Sequence, residues 1–187
     1  MNNKVLKIGI VWVLLLTISV FGVAQTPNPE DDYPTPPKSD KLLFYVQRSH
    51  NKNTIAYELN CDTHGIVDIE KPIHPYWIRY EEGGNLEELS FIQRKYAYGL
   101  NFKPLDDEKI TQSVSFVCYD KKSLLLMKSN TDNQYHAYLS INDKMLQVDK
   151  IFIKTDGGTF WFPVVRYIEV FGIELATGKP IREKFIP

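Results

Sequence analysis

From Lys41 onward the chain alternates short apolar runs with turn-forming residues at intervals of about 8 to 15 residues. That cadence excludes a helical bundle and a βαβ repeat. The runs 42–48 and 54–60 flank His50-Asn51-Lys52-Asn53, a hairpin turn by composition. Further strands are expected over 75–80, over 114–120 with Val114, Phe116 and Cys118 on one face, and over 124–128 after a Lys-Lys-Ser turn. Others follow over 135–141 and 145–154, the latter entering the turn Thr155-Asp156-Gly157-Gly158. The long apolar run 159–175 contains Pro163, where it must bend or change partner, because proline cannot donate to a central ladder. A last strand is expected over 180–186.

One segment has helical spacing. Leu86, Leu89, Ile92 and Tyr96 recur at intervals of three and four, predicting a helix over about 86–98. Asn85 and Glu88 suit a capping box, and Arg94 and Lys95 suit the last turn. Gly99 suits a left-handed stop. The expected fold is therefore mainly β: an antiparallel β-sandwich, or a closed, calycin-like β-barrel, of about 8–9 strands with one helix.

Two segments precede this unit. Residues 1–24 carry Lys4 and Lys7, then an uncharged apolar stretch, then Gly22 and Ala24 before Gln25. This is the three-part pattern of a secretory signal peptide. Its apolar run of about 16 residues falls short of the roughly 20 that span a bilayer, so cleavage is expected rather than anchoring. Export to the periplasm or exterior of a Gram-negative bacterium follows as an expectation. Residues 25–40 hold five prolines, which lack a backbone donor, and read as an extended tether. Residues 41–187 then form a single β-rich domain.

Composition narrows the function. The 187 residues are 43% hydrophobic and 13% aromatic, too rich for a disordered chain. A formal charge of −1 does not suit a nucleic-acid binder, and loss of the two leader lysines takes it to −3. Two cysteines are too few for a disulfide scaffold. Cys61 and Cys118 could form one bridge, worth on the order of 4 kcal/mol in the chain-entropy model, or remain buried thiols.

No nucleophile elbow, phosphate loop or zinc-protease motif occurs. His50, His64, His74 and His136 are too scattered to make a local metal set, so no metal or cofactor is indicated. The informative pattern is cations beside large aromatics. Trp77 and Arg79 share a strand face. Arg166 falls between Val164 and Ile168 on an apolar face, and Arg48 continues the face of Leu42, Phe44 and Val46. Arg94 ends the helix, and Trp161 follows the Gly157-Gly158 turn. Converging, Arg48, Trp77, Arg79, Arg94, Trp161 and Arg166 would form a pocket for an anionic, partly apolar ligand. The competing reading is internal ion pairing, with Glu58 and Glu169 available.

The motifs 43–49, Asn53-Thr54, 76–80, Leu89 with 92–95, 97–99 and 156–161 with Pro163, taken together, resemble an uncharacterised family of small exported bacterial proteins, domain of unknown function 4833. The resemblance implies that these motifs make one domain and implies no activity. The expected function is an exported, non-catalytic domain binding an anionic or acyl-type small ligand or an envelope partner. One alternative is an envelope hydrolase or transferase using His74 with Glu58 or Asp156; another is a structural adaptor.

Overall fold

The computed structural model describes residues 33–158 and 163–187. The expected leader, the first part of the tether and Trp161 lie outside them. Among the described residues no helix is long and apolar enough to cross a membrane.

The domain is mainly β with one α-helix. Its strands are β1 (Leu42–Arg48), β2 (Asn51–Leu59), β3 (Ile73–Arg79), β4 (Asn85–Glu88), β5 (Leu100–Pro104), β6 (Gln112–Phe116), β7 (Tyr119–Lys128), β8 (Tyr135–Ile141), β9 (Lys144–Gly158), β10 (Pro163–Glu174) and β11 (Pro180–Phe185). The helix α1 is Phe91–Tyr96. Nine strands follow the order β4-β3-β2-β1-β9-β8-β7-β6-β5, while β10 pairs with β9 and β11 with β10. The sheet curls into a half-barrel.

Its shape depends on β9. Residues 144–147 of β9 pair with β8, and residues 150–153 pair with β1, while β10 runs along residues 146–158. Because β10 shares residues with both, β8 and β1 must occupy the same edge in succession. Two arms, β1–β4 and β5–β8, therefore diverge from one long hairpin. The β1–β9 pair is parallel, the one departure from the antiparallel pairing expected. Phe44 and Tyr57 stack at 4.6 Å, and both meet the Phe116 ring edge-on from the opposite arm. Phe44 and Tyr57 are fully buried, within a core that is otherwise mostly aliphatic.

Several boundaries differ from those the sequence suggests. The β1–β2 turn is Ser49-His50, tighter than expected, with His50 at φ 65°. The β6–β7 turn falls at Val117-Cys118, so Lys121 and Lys122 lie in β7 rather than in a turn. The helix is shorter than 86–98. Residues 85–88 pair with β3 through Arg79↔Asn85 and Tyr76↔Glu88, which covers what would otherwise be a bare sheet edge. Asn85 donates to the Glu82 carbonyl and so closes that hairpin instead of capping a helix. The capping box is one step later in the chain: Gln93 N–H donates to Ser90 Oγ at 3.3 Å, and Ser90 N–H donates to Gln93 Oε1 at 2.9 Å. Gly99 is required for closeness, not handedness, since a Cβ there would lie 1.8 Å from the Arg94 carbonyl oxygen.

The described end of the Pro-rich segment lies on the outer sheet face. Gln47 Nε2 donates to the Pro34 carbonyl at 2.7 Å, His50 N–H donates to the Tyr33 hydroxyl at 3.0 Å, and the Tyr33 ring meets Phe152 edge-on. Residues 33–40 are thus held against the domain rather than free of it.

Candidate ligand-binding cavity

The arms do not close on each other along their whole length. Between them, on the concave face, lies a cavity of about 740 Å³. Its walls are built by alternation: residues of one parity on each strand point inward. From the first arm come Val46, Tyr57 and Trp77; from the hairpin Ile151, Ile153, Ile168 and Val170; from the second arm Leu124 and Leu139. Helix α1 and the residues after it stand at one rim, contributing Ile92, Tyr96 and Tyr98. Tyr98 is fixed there by two contacts. Its carbonyl accepts the Tyr57 hydroxyl at 3.0 Å, and its ring meets Trp77 at 5.2 Å.

Every charged side chain in the described part of the wall is a cation. Arg48, Arg79 and Lys122 line it, and among the described lining residues no Asp or Glu side chain does. Arg79 lies over the Trp77 ring at 5.0 Å and donates from Nε to Glu87 Oε2 at 2.7 Å, Glu87 being the cross-strand partner of Trp77 on β4. That bond raises the arginine's affinity for its proton and lowers the Glu87 carboxyl below its usual value. Lys122 lies over the Phe185 ring at 5.2 Å. Burial pushes the Tyr57 phenol well up, and the Tyr98 phenol is raised by the same cause, so both are neutral donors at any ordinary pH. Cys118 also lines the cavity, and desolvation there raises its thiol. It is a poor nucleophile in that state.

Of the residues the sequence pointed to, Arg48, Trp77 and Arg79 meet in this cavity. Arg94 and Arg166 do not. Arg94 turns back to Glu88 at 3.1 Å and to the Leu89 carbonyl. Arg166 was expected on the apolar face, but a bulge intervenes: Val165 pairs with Thr155 and Tyr167 with Lys154, so Arg166 is the extra residue. Its side chain is exposed and lies 3.5 Å from Asp156. Cys61 and Cys118 are both free thiols in the structure, Cys61 half-buried in an isolated bridge with Val67 and Cys118 exposed in the cavity wall, so neither is the buried thiol expected.

No histidine lines the cavity. His74 is on the outer face of β3, with Nε2 2.8 Å from Glu88. Glu58, opposite it in register, acts with burial to push the Tyr76 phenol up to about 12. Asp156 is occupied by Arg166. His136 sits on β8 between Asp132 and Gln147. Among the described residues no group of three His, Cys, Asp or Glu could hold a metal ion.

Lys122, Tyr57 and Tyr98 are cavity residues the sequence reasoning did not single out. The signal for Lys122 was present. Extending β7 back past residue 123 puts Lys122 on the face of Leu124 and Leu126 by simple parity.

A family model described as a domain of unknown function, DUF4833, matches residues 44–184. That span contains both arms apart from the first two residues of β1, and all of the named cavity wall except Phe185. No curated protein and no solved structure matches the chain.

Proposed function

We propose, on the premise that this chain belongs to the DUF4833 family, that its domain binds a small amphipathic anion. The apolar part would lie between the arms, and the charged head would sit against Arg48, Arg79 and Lys122. The observation that carries this reading is the meeting of a large apolar cavity with three cationic side chains, Arg48, Arg79 and Lys122, in its described wall. Its volume falls in the range of small-molecule sites. Each methylene removed from water contributes about 0.8 kcal/mol, so an alkyl chain is the natural filler. Arginine offers a carboxylate two parallel donors, and the partly desolvated setting strengthens that bond. The two neutral phenols, Tyr57 and Tyr98, add no competing charge.

Displacement of a fluorescent medium-chain fatty acid tests this. Decanoate should bind saturably and decanol more weakly. Arg79→Ala should weaken decanoate about tenfold, the scale of one charge-assisted bond. Arg166→Ala, which alters an outward residue, serves as the control and should change nothing. Equal binding of decanoate by the parent and Arg79→Ala, or no saturable binding, would end the proposal.

A further inference from the structure

None of the residues of helix α1 is buried. Phe91, Ile92 and Tyr96 are 75%, 50% and 63% exposed. Single exposed apolar residues are ordinary, but three on one short helix form a patch. Ile92 and Tyr96 also line the cavity. The apolar surface is therefore continuous from the lumen, over the rim, to the outside of the helix.

The charge beside the patch is positive. The helix carries Arg94 and Lys95 and no acid. Lys95 Nζ lies 5.6 Å from the Phe91 ring centre and 5.2 Å from that of Tyr96, so cation and rings are presented together. The two carboxylates nearest in the chain already have cationic partners. Glu87 is held by Arg79 at 2.7 Å, and Glu88 by Arg94 at 3.1 Å. Glu81 and Glu82 are at the turn end of the β3–β4 hairpin, the length of β4 away from the helix.

We infer that α1 docks on an anionic phospholipid surface, and that the rim beside it is the port through which an amphipathic ligand passes between bilayer and cavity. The inference rests on the binding reading above. Aromatic and aliphatic side chains flanked by lysine and arginine match the layered chemistry of a bilayer interface. Phe91 and Ile92 meet the acyl boundary, while Lys95 meets the phosphates. A second copy of the chain fits this face less well, because a two-fold contact centred on α1 would set the Arg94 and Lys95 of each copy against their equivalents.

The test uses protein beginning at Gln25, which leaves out the apolar leader and keeps every described residue from Tyr33 on. It is sedimented with vesicles of phosphatidylcholine alone and with vesicles that also contain phosphatidylglycerol. Preferential binding to the anionic vesicles, weakened by salt, is expected. Phe91→Ser with Lys95→Glu should lower that binding at least tenfold, and an unchanged melting temperature would show the variant is folded. Phe91→Trp should retain binding, with its emission moving to the blue on vesicle addition. No binding to anionic vesicles, or equal binding by the double variant, overturns the inference. So does a parent dimer that the double variant dissociates without any vesicle effect. A fatty-acid probe added below its micelle concentration separates the two readings. Probe binding without vesicle binding removes the docking step alone. Vesicle binding without probe binding removes the cavity reading and leaves the port without a ligand to pass, overturning that part of the inference.

Discussion

On the outer face of the β9–β10–β11 sheet, Lys150 and Arg182 lie over Phe171 at 5.0 and 4.9 Å, and Lys184 lies over Tyr167 at 3.6 Å. On the inner face, Arg79 lies over Trp77 at 5.0 Å. The residue types and distances are alike, and the surroundings differ. The outer cations surround Glu169, whose carboxylate is buried and held by Arg182 at 2.6 Å and Lys184 at 3.6 Å. The inner cations line a concave wall with no carboxylate side chain among its described residues. A cation on a ring therefore marks neither a strut nor a receptor by itself. The position of the counter-charge and the curvature of the sheet make that distinction. Removing an outer cation should cost stability, and removing an inner one should cost binding.

Deep in the concave face the largest effect is expected from Phe44→Ala. Phe44 is fully buried and stacked on Tyr57, so truncation should lower unfolding free energy by about 3–5 kcal/mol in a denaturant titration. A loss below about 1 kcal/mol would mean that the arms do not share a core there. Next is Glu169→Ala on the outer face. It removes the buried carboxylate that Arg182 and Lys184 hold, and since their heads are partly hydrated the loss should be about 1–2 kcal/mol with fatty-acid affinity unchanged. Weakened ligand binding in that variant would break the division between the faces.

Arg79→Ala and Arg182→Ala make a crossed pair. The first should weaken decanoate about tenfold and barely move the melting temperature, because the Glu87 it releases is solvated. The second should do the reverse. The smallest effect concerns Asp149 on the outer side, whose carboxyl is raised above 3.8, mainly by burial. Its folded state favours the protonated form, so ionisation opposes folding once pH exceeds the unfolded value. Asp149→Asn should accordingly raise the melting temperature at pH 7 and lose that advantage as the pH falls below the unfolded value. A variant less stable than the parent at pH 7 would show that the charge is held by partners instead.

The helix and the bulge show where sequence reasoning stopped. The 85–93 segment contains two capping-box patterns, Asn85 with Glu88 and Ser90 with Gln93. Local chemistry barely separates them. β3 separates them, because its open edge takes residues 85–88 as a strand and leaves the second box to start the helix. At Arg166, strict alternation gave the inward face, and one inserted residue reversed it. The site was partly legible for the same reason. Arg48, Trp77 and Arg79 lie on regular stretches, where parity is reliable. Lys122 lay hidden behind a misplaced turn.

The sequence alone determined the mainly β character, the single helix and the inward parity of the regular strands, because each follows from local periodicity and turn chemistry. It also contained the motifs that place the chain in its family. The tertiary structure decided which strands pair with β9, hence the curl, the cavity and the opposite uses of like residues on its two faces. Those are long-range choices. They depend on which edges and faces are left to bury once neighbouring segments have paired, and no single stretch of the chain holds that information.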